Sequence, residues 1–208
     1  MNRPVHSIKI LNKLTNQWVP ASIYEGFMEH NIEHYEEKWV PVLRDITWRV
    51  KVGLKPVALR QEDSHWNWRS KLSSMKGKLA FKEYAIECNG LTQGLMLINI
   101  GLKYSRIDIS KPLVYVEYIQ TAPWNRVKVQ GYDSYKLVGS LLLLQAVGES
   151  CEEGFNGRIG LHALPKAEAF YRKIGLQEFG TDTDHQGLAY FELEESTSTT
   201  LMKNLGGR

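Results

Sequence analysis

Glu117 stands in the run "LVYVEYIQTAP", where strand alternation puts Tyr115, Glu117, Ile119 and Thr121 on one face and Val114, Val116, Tyr118 and Gln120 on the other. Pro123 cannot donate a ladder hydrogen bond, so pairing is expected to fail near Ala122. Such a failure opens a gap beside the strand and leaves backbone N–H groups free. In "YKLVGSLLLLQAV" a helix begins around Gly139 and Ser140. A helix N-terminus offers free N–H groups and the positive end of the dipole, which bind phosphate, and glycine lets the anion approach closely. In "ALPKAEAFYRKIGL" Phe170 serves packing, whereas the hydroxyl of Tyr171 requires a second explanation. A fourth stretch, "HNIEH" from His30 to His34, matches H-x-x-E-H. That spacing sets two imidazoles one helical turn apart with a glutamate base, a zinc-peptidase arrangement. No third ligand is nominated downstream, and the competing reading is a polar outer helix face.

Composition frames these candidates. The 208 residues are 43% hydrophobic and 24% charged, with a net charge of +3, which suits a globular chain and does not by itself call for nucleic acid. Two cysteines, Cys88 and Cys151, exclude a disulfide framework and fit reduced structural thiols. "MNRPVHSIKI" has no apolar signal region, and "LVGSLLLLQAV" is far shorter than the ~20 residues a bilayer needs. A soluble, cytoplasmic protein with no membrane partner is expected.

The elements that must position the candidates follow from periodicity. "HSIKILNKLTNQWVPASI" reads as two strands around a turn at Thr15-Asn16. Met28, Ile32, Tyr35 and Trp39 form a helical stripe closed by Pro41. Val42 to Asp63 reads as irregular, with a strand-like "ITWRVKV". "HWNWRSKLSSM" is a short helix in which Trp66 and Trp68 cannot share a face. Three strands follow, the first two joined by a tight turn at Asn89-Gly90. A long helix from about Tyr135 to Glu153, the strand "RIGLHA", the helix "KAEAFYRKI" with its C-terminal Gly175, and a closing hairpin complete the order. Residues 195–208 read as a flexible tail, and 1–194 as a single domain in which 22–78 carries helices and an insertion. The fold class is mixed α/β: a mostly antiparallel sheet of about six to seven strands with one parallel crossover.

"GYDSYKLVGSLLLLQAV" followed by "RIGLHALPKAEAFYRKIGLQEFG" resembles the GCN5-related N-acetyltransferase (GNAT) superfamily over roughly Leu79 to Leu193. The most specific part is Ala167-x-x-Phe170-Tyr171-x-x-x-Gly175-Leu176, which matches the family's A-x-x-[FL]-Y-x-x-x-G-[FL]. In place of the family's R/Q-x-x-G-x-G/A loop stands Ser134-Tyr135-Lys136-Leu137-Val138-Gly139, in which only the last glycine matches. The resemblance implies a splayed sheet with helices on both faces and acetyl-CoA as co-substrate, without a metal. The cofactor would lie between "VYVEYIQT" and "RIGLHA", its pyrophosphate on Tyr135, Lys136, Leu137, Val138, Gly139 and Ser140. Backbone of Ile119, Gln120 and Thr121 would polarise the thioester. It further implies direct attack by a primary amine, with Tyr171 as the acid that protonates the leaving thiolate and Glu117 as the base. Glu83, Glu87 and Asp108 compete as bases. Glu117 could instead pair with Lys82, and His162 could face the amine or be a satisfied structural histidine. The acceptor stays open among a small molecule, a protein and an aminoacyl-tRNA, as does the oligomeric state, a homodimer included. A non-catalytic acyl-CoA-binding or interaction module is the alternative that the altered loop motivates.

Overall fold

The computed structural model describes residues 5–205. Residues 1–4 and 206–208, parts of the expected N-terminal segment and tail, lie outside them. The strands are β1 (His6–Asn12), β2 (Trp18–Glu25), β3 (Phe81–Cys88), β4 (Leu91–Tyr104), β5 (Pro112–Thr121), β6 (Tyr135–Lys136), β7 (Ile159–Ala163), β8 (Gln177–Asp182) and β9 (Leu188–Leu193). The helices are α1 (Glu29–His34), α2 (Val40–Lys51), α3 (Trp68–Met75), α4 (Val138–Glu152), α5 (Glu168–Ile174) and α6 (Glu195–Leu205). This is a mixed α/β fold with a nine-stranded, mostly antiparallel sheet in the order β6-β1-β2-β3-β4-β5-β7-β9-β8, flanked by helices. The sheet exceeds the expected strand number, partly through the two-residue β6. Among the described residues no helix is long and apolar enough to cross a membrane. The chain forms two compact units, described in turn.

The first unit comprises residues 1–78, 84–95 and 120–138. Its β1–β2 hairpin turns as expected, with Asn12 Oδ1 accepting from the N–H groups of Leu14 (2.8 Å) and Thr15 (3.2 Å) and Asn16 at φ 56°. The helical stripe buries Ile32, Tyr35 and Trp39, while Met28 stays exposed. Pro41 does not close the helix. A π-type turn over Tyr35–Trp39 intervenes, in which the Val40 N–H bonds to Tyr35 O, and α2 then starts with Pro41 in its first turn. A proline is tolerated there because a first-turn N–H has no intrahelical acceptor. The strand-like "ITWRVKV" is therefore helical through Lys51, because Leu43 and Ile46 continue the buried stripe that begins at Trp39. Asn67 caps α3 by accepting from Ser70 N–H at 2.8 Å. Trp68 is wholly buried, and Trp66, under the Lys71 ammonium at 4.7 Å, is not. Asn89 and Gly90 both have positive φ, the geometry of a two-residue I′ hairpin turn.

The second unit comprises 79–83, 96–119 and 139–208. One sheet face is its core: Val114, Val116, Ile159, Leu161, Ala163, Ala189, Phe191 and Leu193 are all buried. The "LLLL" run supplies Leu141, Leu142 and Leu143 to this unit's interior. Gly175 ends α5 at φ 105°, with its own N–H and that of Leu176 bonded to Tyr171 O. Residues 195–205, read as a loose tail, are helical. Their Ser and Thr side chains are poor helix formers that bond back to the preceding turn, Ser198 and Thr199 to Glu195 O and Thr200 to Ser196 O. Tertiary packing holds the helix, since Ser198 is fully buried and Leu201 nearly so.

Candidate functional site

The parallel ladder between β5 and β7 pairs Val114 with Ile159, Tyr115 with Gly160 and Val116 with Leu161. Both strands continue beyond it, β5 to Thr121 and β7 to Ala163. Glu117 and His162 are thus the first residues past the last pair on their strands. Alternation and the β7–β9 register, His162 opposite Tyr190, put Tyr115, Glu117, His162 and Tyr190 on one face. These four line a cavity of about 200 Å³ together with Lys103, Tyr104, Arg106, Leu113 and His185.

Glu117 is half-buried and accepts from Asn99 Nδ2 at 3.1 Å. Lys82, the lysine expected beside it, has its ammonium on Glu149 at 2.6 Å. The Tyr115 hydroxyl meets His162 Nδ1 at 2.6 Å, and His162 Nε2 meets Asp182 at 2.8 Å. Arg106 clamps Asp182, lies over the Tyr190 ring at 4.0 Å, and with His162 holds the Asp182 carboxyl far below the usual range. An ionised Asp182 can only accept, so His162 Nε2 carries the hydrogen and Nδ1 accepts from Tyr115. Burial lowers the His162 pKa, in keeping with a neutral ring. His162 is thus satisfied on both nitrogens.

His162, Asp182 and His185 lie close enough for one metal ion. The two rings, however, stack at 3.7 Å and 3°, so their in-plane lone pairs run parallel instead of converging, and Arg106 already neutralises the carboxylate. This cluster suits hydrogen bonding better than metal ligation.

Tyr171 is on the other side of the second unit's sheet. Its ring lies 5.8 Å from Phe191, which pairs with Leu161, itself paired with Val116. Tyr171 is 5% exposed, and no hydrogen bond is formed by its hydroxyl among the described residues. Burial raises its pKa, so the phenol keeps its proton at neutral pH. Alternation therefore brings Glu117 together with Tyr115 and His162 but sets Tyr171 on the opposite face.

The loop residues sit as follows. Tyr135 and Lys136 are a strand, not the start of the helix, paired with Asn12 and Leu11. The Tyr135 ring is buried, its hydroxyl accepting from Asn89 Nδ2 at 3.2 Å. Leu137 has φ 75°, the left-handed conformation that normally demands glycine. The first-glycine position of the loop thus keeps a glycine's backbone with a leucine side chain. Helix α4 starts at Val138, so Val138, Gly139 and Ser140 fall in its first turn, where N–H groups lack intrahelical acceptors. Ile119 and Thr121 are half-buried on β5, and Ala122 N–H bonds Gln93 O at 2.9 Å, so contact with β4 outlasts the expected failure point. The Gln120 side chain is occupied in the first unit. It accepts from Trp68 Nε1 (2.6 Å) and donates to Asp63 (2.7 Å), which Arg126 also holds.

Among the competing bases, Asp108 is exposed and bonded by Ser110, Glu83 is half-buried, and Glu87 accepts from Asn31 at 2.6 Å and meets His30 at 2.6 Å. In "HNIEH" the two imidazoles do share a side, 5.5 Å apart, but His34 Nδ1 contacts Thr92 Oγ1 at 3.1 Å, and the residues of the motif that are buried are Asn31 and Ile32. Residues missed by sequence reasoning are Lys103, Arg106, Asp182 and His185. Their spacing carries no motif, whereas Glu117, Tyr115 on its face and His162 on β7 were legible.

No model of a known protein family matches the sequence. No curated protein sequence matches it either. Solved structures do resemble the fold. An uncharacterized protein from Bacillus halodurans aligns at 10% identity with a TM-score of 0.53, covering 98% of this chain and 97% of that one. A protein from Desulfovibrio desulfuricans assigned to the GNAT family of acetyltransferases aligns at 10% identity and TM-score 0.52, covering 84% of this chain and 99% of that one. The PaiA N-acetyltransferase from Thermoplasma acidophilum, in complex with coenzyme A, aligns at 15% identity and TM-score 0.49, covering 83% and 99%. The first two alignments show a shared fold.

Proposed function

We propose that this protein is an N-acetyltransferase that moves an acetyl group from acetyl-CoA to a primary amine. The observation that carries the reading is the end of the β5–β7 ladder at Val116 and Leu161, past which the two strands run on without pairing to each other while β7 stays paired to β9 as far as Ala163. Backbone N–H groups that face such a gap between strands are donors of the kind that polarise a thioester carbonyl. Backbone of Ile119, Gln120 and Thr121 would serve there. The glycine-like backbone at Leu137 and the first turn of α4 are suited to a pyrophosphate, so the backbone of Leu137, Val138, Gly139 and Ser140 would present it with N–H donors despite the altered sequence, whereas the Tyr135 N–H already donates to Asn125 Oδ1 at 2.8 Å.

An alkyl amine with a pKa of about 10.4 is protonated at neutral pH and must lose a proton before it attacks. Glu117 takes that proton and releases it to solvent, then takes the second proton that the nitrogen loses once the C–N bond has formed. As the C–S bond breaks, the departing sulfur receives the proton of Tyr171, a buried phenol whose hydroxyl has no other acceptor among the described residues, and solvent restores that proton after release. Orientation of the two reactants would supply much of the rate.

Isothermal titration with acetyl-CoA tests the reading. Saturable binding to the wild type is expected, abolished by Gly139→Glu with the circular dichroism spectrum unchanged. With an amine that supports thiol release, Tyr171→Phe should lower kcat by about 10²-fold, the scale of positioned acid catalysis. A wild type that binds no acetyl-CoA refutes the proposal.

A further inference from the structure

The cavity beside Glu117 has a charge layout that nominates the acceptor. At one end, Glu117 is bonded through Oε1 to Asn99, which leaves Oε2 available. Next to it, the Tyr115 hydroxyl has its hydrogen committed to His162 Nδ1, because His162 Nε2 is committed to Asp182. Tyr115 Oη therefore presents lone pairs to the cavity. A carboxylate oxygen and a phenol oxygen together recognise an N–H-rich cation.

The other end is cationic. Lys103 is exposed and forms no ion pair among the described residues. Arg106 lines the same wall, its charge shared with Asp182. Alternation along β4 puts Lys103 on the face of Asn99, roughly 13 Å further on at ~3.3 Å per residue. The Lys103 side chain closes part of that distance. Between the two ends lie Leu113, Tyr104 and Tyr190, which suit methylene groups. The volume of about 200 Å³ is below the ~300 Å³ at which drug-sized ligand pockets begin.

We propose that this cavity binds a small ω-amino acid, with its ammonium on Glu117 and Tyr115 and its carboxylate on Lys103, and that this is the amine acceptor. The inference rests on the transferase reading for the word acceptor, but the binding does not. An α-amino acid is too short to span both ends, and a simple alkylamine leaves the cationic end unused. A protein lysine inside a chain would bring no carboxylate at this separation.

The experiment is titration of 5-aminopentanoate, butylamine, pentanoate and glycine into the full chain, with and without saturating coenzyme A. Saturable binding of 5-aminopentanoate is expected, at least about tenfold tighter than the other three, the scale of one lost charged contact. Lys103→Met should bring 5-aminopentanoate down to the level of butylamine and leave butylamine unchanged, a pattern that misfolding cannot mimic. Tyr115→Phe should weaken both amines and leave pentanoate unaffected. Equal binding of all four, no saturable binding of 5-aminopentanoate, or no effect of Lys103→Met overturns the proposal. If acetyl-CoA binds while 5-aminopentanoate does not, the acceptor class falls and the transferase reading stands. If 5-aminopentanoate binds as expected while acetyl-CoA does not, the cavity assignment stands and the transferase reading falls.

Discussion

Replacing Leu137 by glycine and by alanine separates backbone geometry from side-chain packing. Both variants remove the same half-buried side chain, so the loss of burial nearly cancels between them. What differs is the conformation at φ 75°. A left-handed L-residue costs about 1–2 kcal/mol, a cost that alanine keeps and glycine relieves. Glycine's greater freedom in the unfolded chain works against it by about 0.4–1 kcal/mol. The balance favours Leu137→Gly over Leu137→Ala by about 0.5–1 kcal/mol. At an ordinary helical or strand position the order is reversed, with glycine the worse by about 0.5–1 kcal/mol. The sign is therefore the readout, and urea melts of the two variants under identical conditions resolve it. On the proposed function Leu137→Gly should also retain acetyl-CoA affinity, since it recreates the family residue on an unchanged backbone. An alanine variant as stable as the glycine variant, or more so, would refute the claim that this loop holds a glycine-type conformation.

Gln120→Met removes the acceptor seen for the Trp68 indole N–H and one of the donors to Asp63, which keeps Arg126, so urea melts should show a loss of about 1–3 kcal/mol, the scale of one broken buried pair. Gly157→Ala combines φ 77° with a new Cβ that would lie 2.9 Å from the Ser198 Cβ and overlap its hydroxyl, and should cost about 2–4 kcal/mol while raising hydrogen exchange in α6. Burial holds His34 and His162 below the usual histidine pKa. Folded-state values below the unfolded one mean that the unfolded chain binds more protons, so stability is full above about pH 6.5 and falls as pH drops below it. Melts between pH 8 and 5 check this. His162→Gln, among Tyr115, Arg106, Asp182, His185 and Tyr190, should flatten the slope, and an unchanged slope would clear His162 of the effect.

The sequence was most legible where local chemistry and tertiary packing agree. β5 runs from Pro112 to Thr121 as read, and α5 ends on Gly175, because alternation and a C-terminal glycine are local signals. Asn89-Gly90 made its turn for the same reason. Misreadings arose where packing overrode local preference. Ile46 to Val50 is rich in strand formers, yet the spacing of Trp39, Leu43 and Ile46 held it in a helix past Pro41. The "ESTSTT" segment became helical because Ser198 is buried, a contact that no local pattern announces. For the site, Glu117 and Tyr171 could be nominated from alternation and from a motif. Arg106, Asp182 and His185 could not, since hairpin and loop geometry alone brings them to His162.

The two nominated residues were expected as one catalytic pair, but the β5–β7–β9 register sets them on opposite faces. On the proposed function this separation has a chemical use. The proton removed from the amine and the proton given to sulfur belong to different atoms of the reacting pair, and nothing requires one residue to meet both. A base near a neutral phenol on the same face would bond to it, as Tyr115 bonds to His162, and a donor so engaged is no longer available to a leaving group. With the sheet between them, Tyr171 keeps an unengaged hydroxyl while Glu117 keeps a free carboxylate oxygen. Such an arrangement works only if a ligand reaches through the sheet, and the ladder opens at Val116 and Leu161, beside Glu117 on one face. On that reading the early end of the β5–β7 ladder is what would let Tyr171 and Glu117, on opposite faces, serve one reacting carbon.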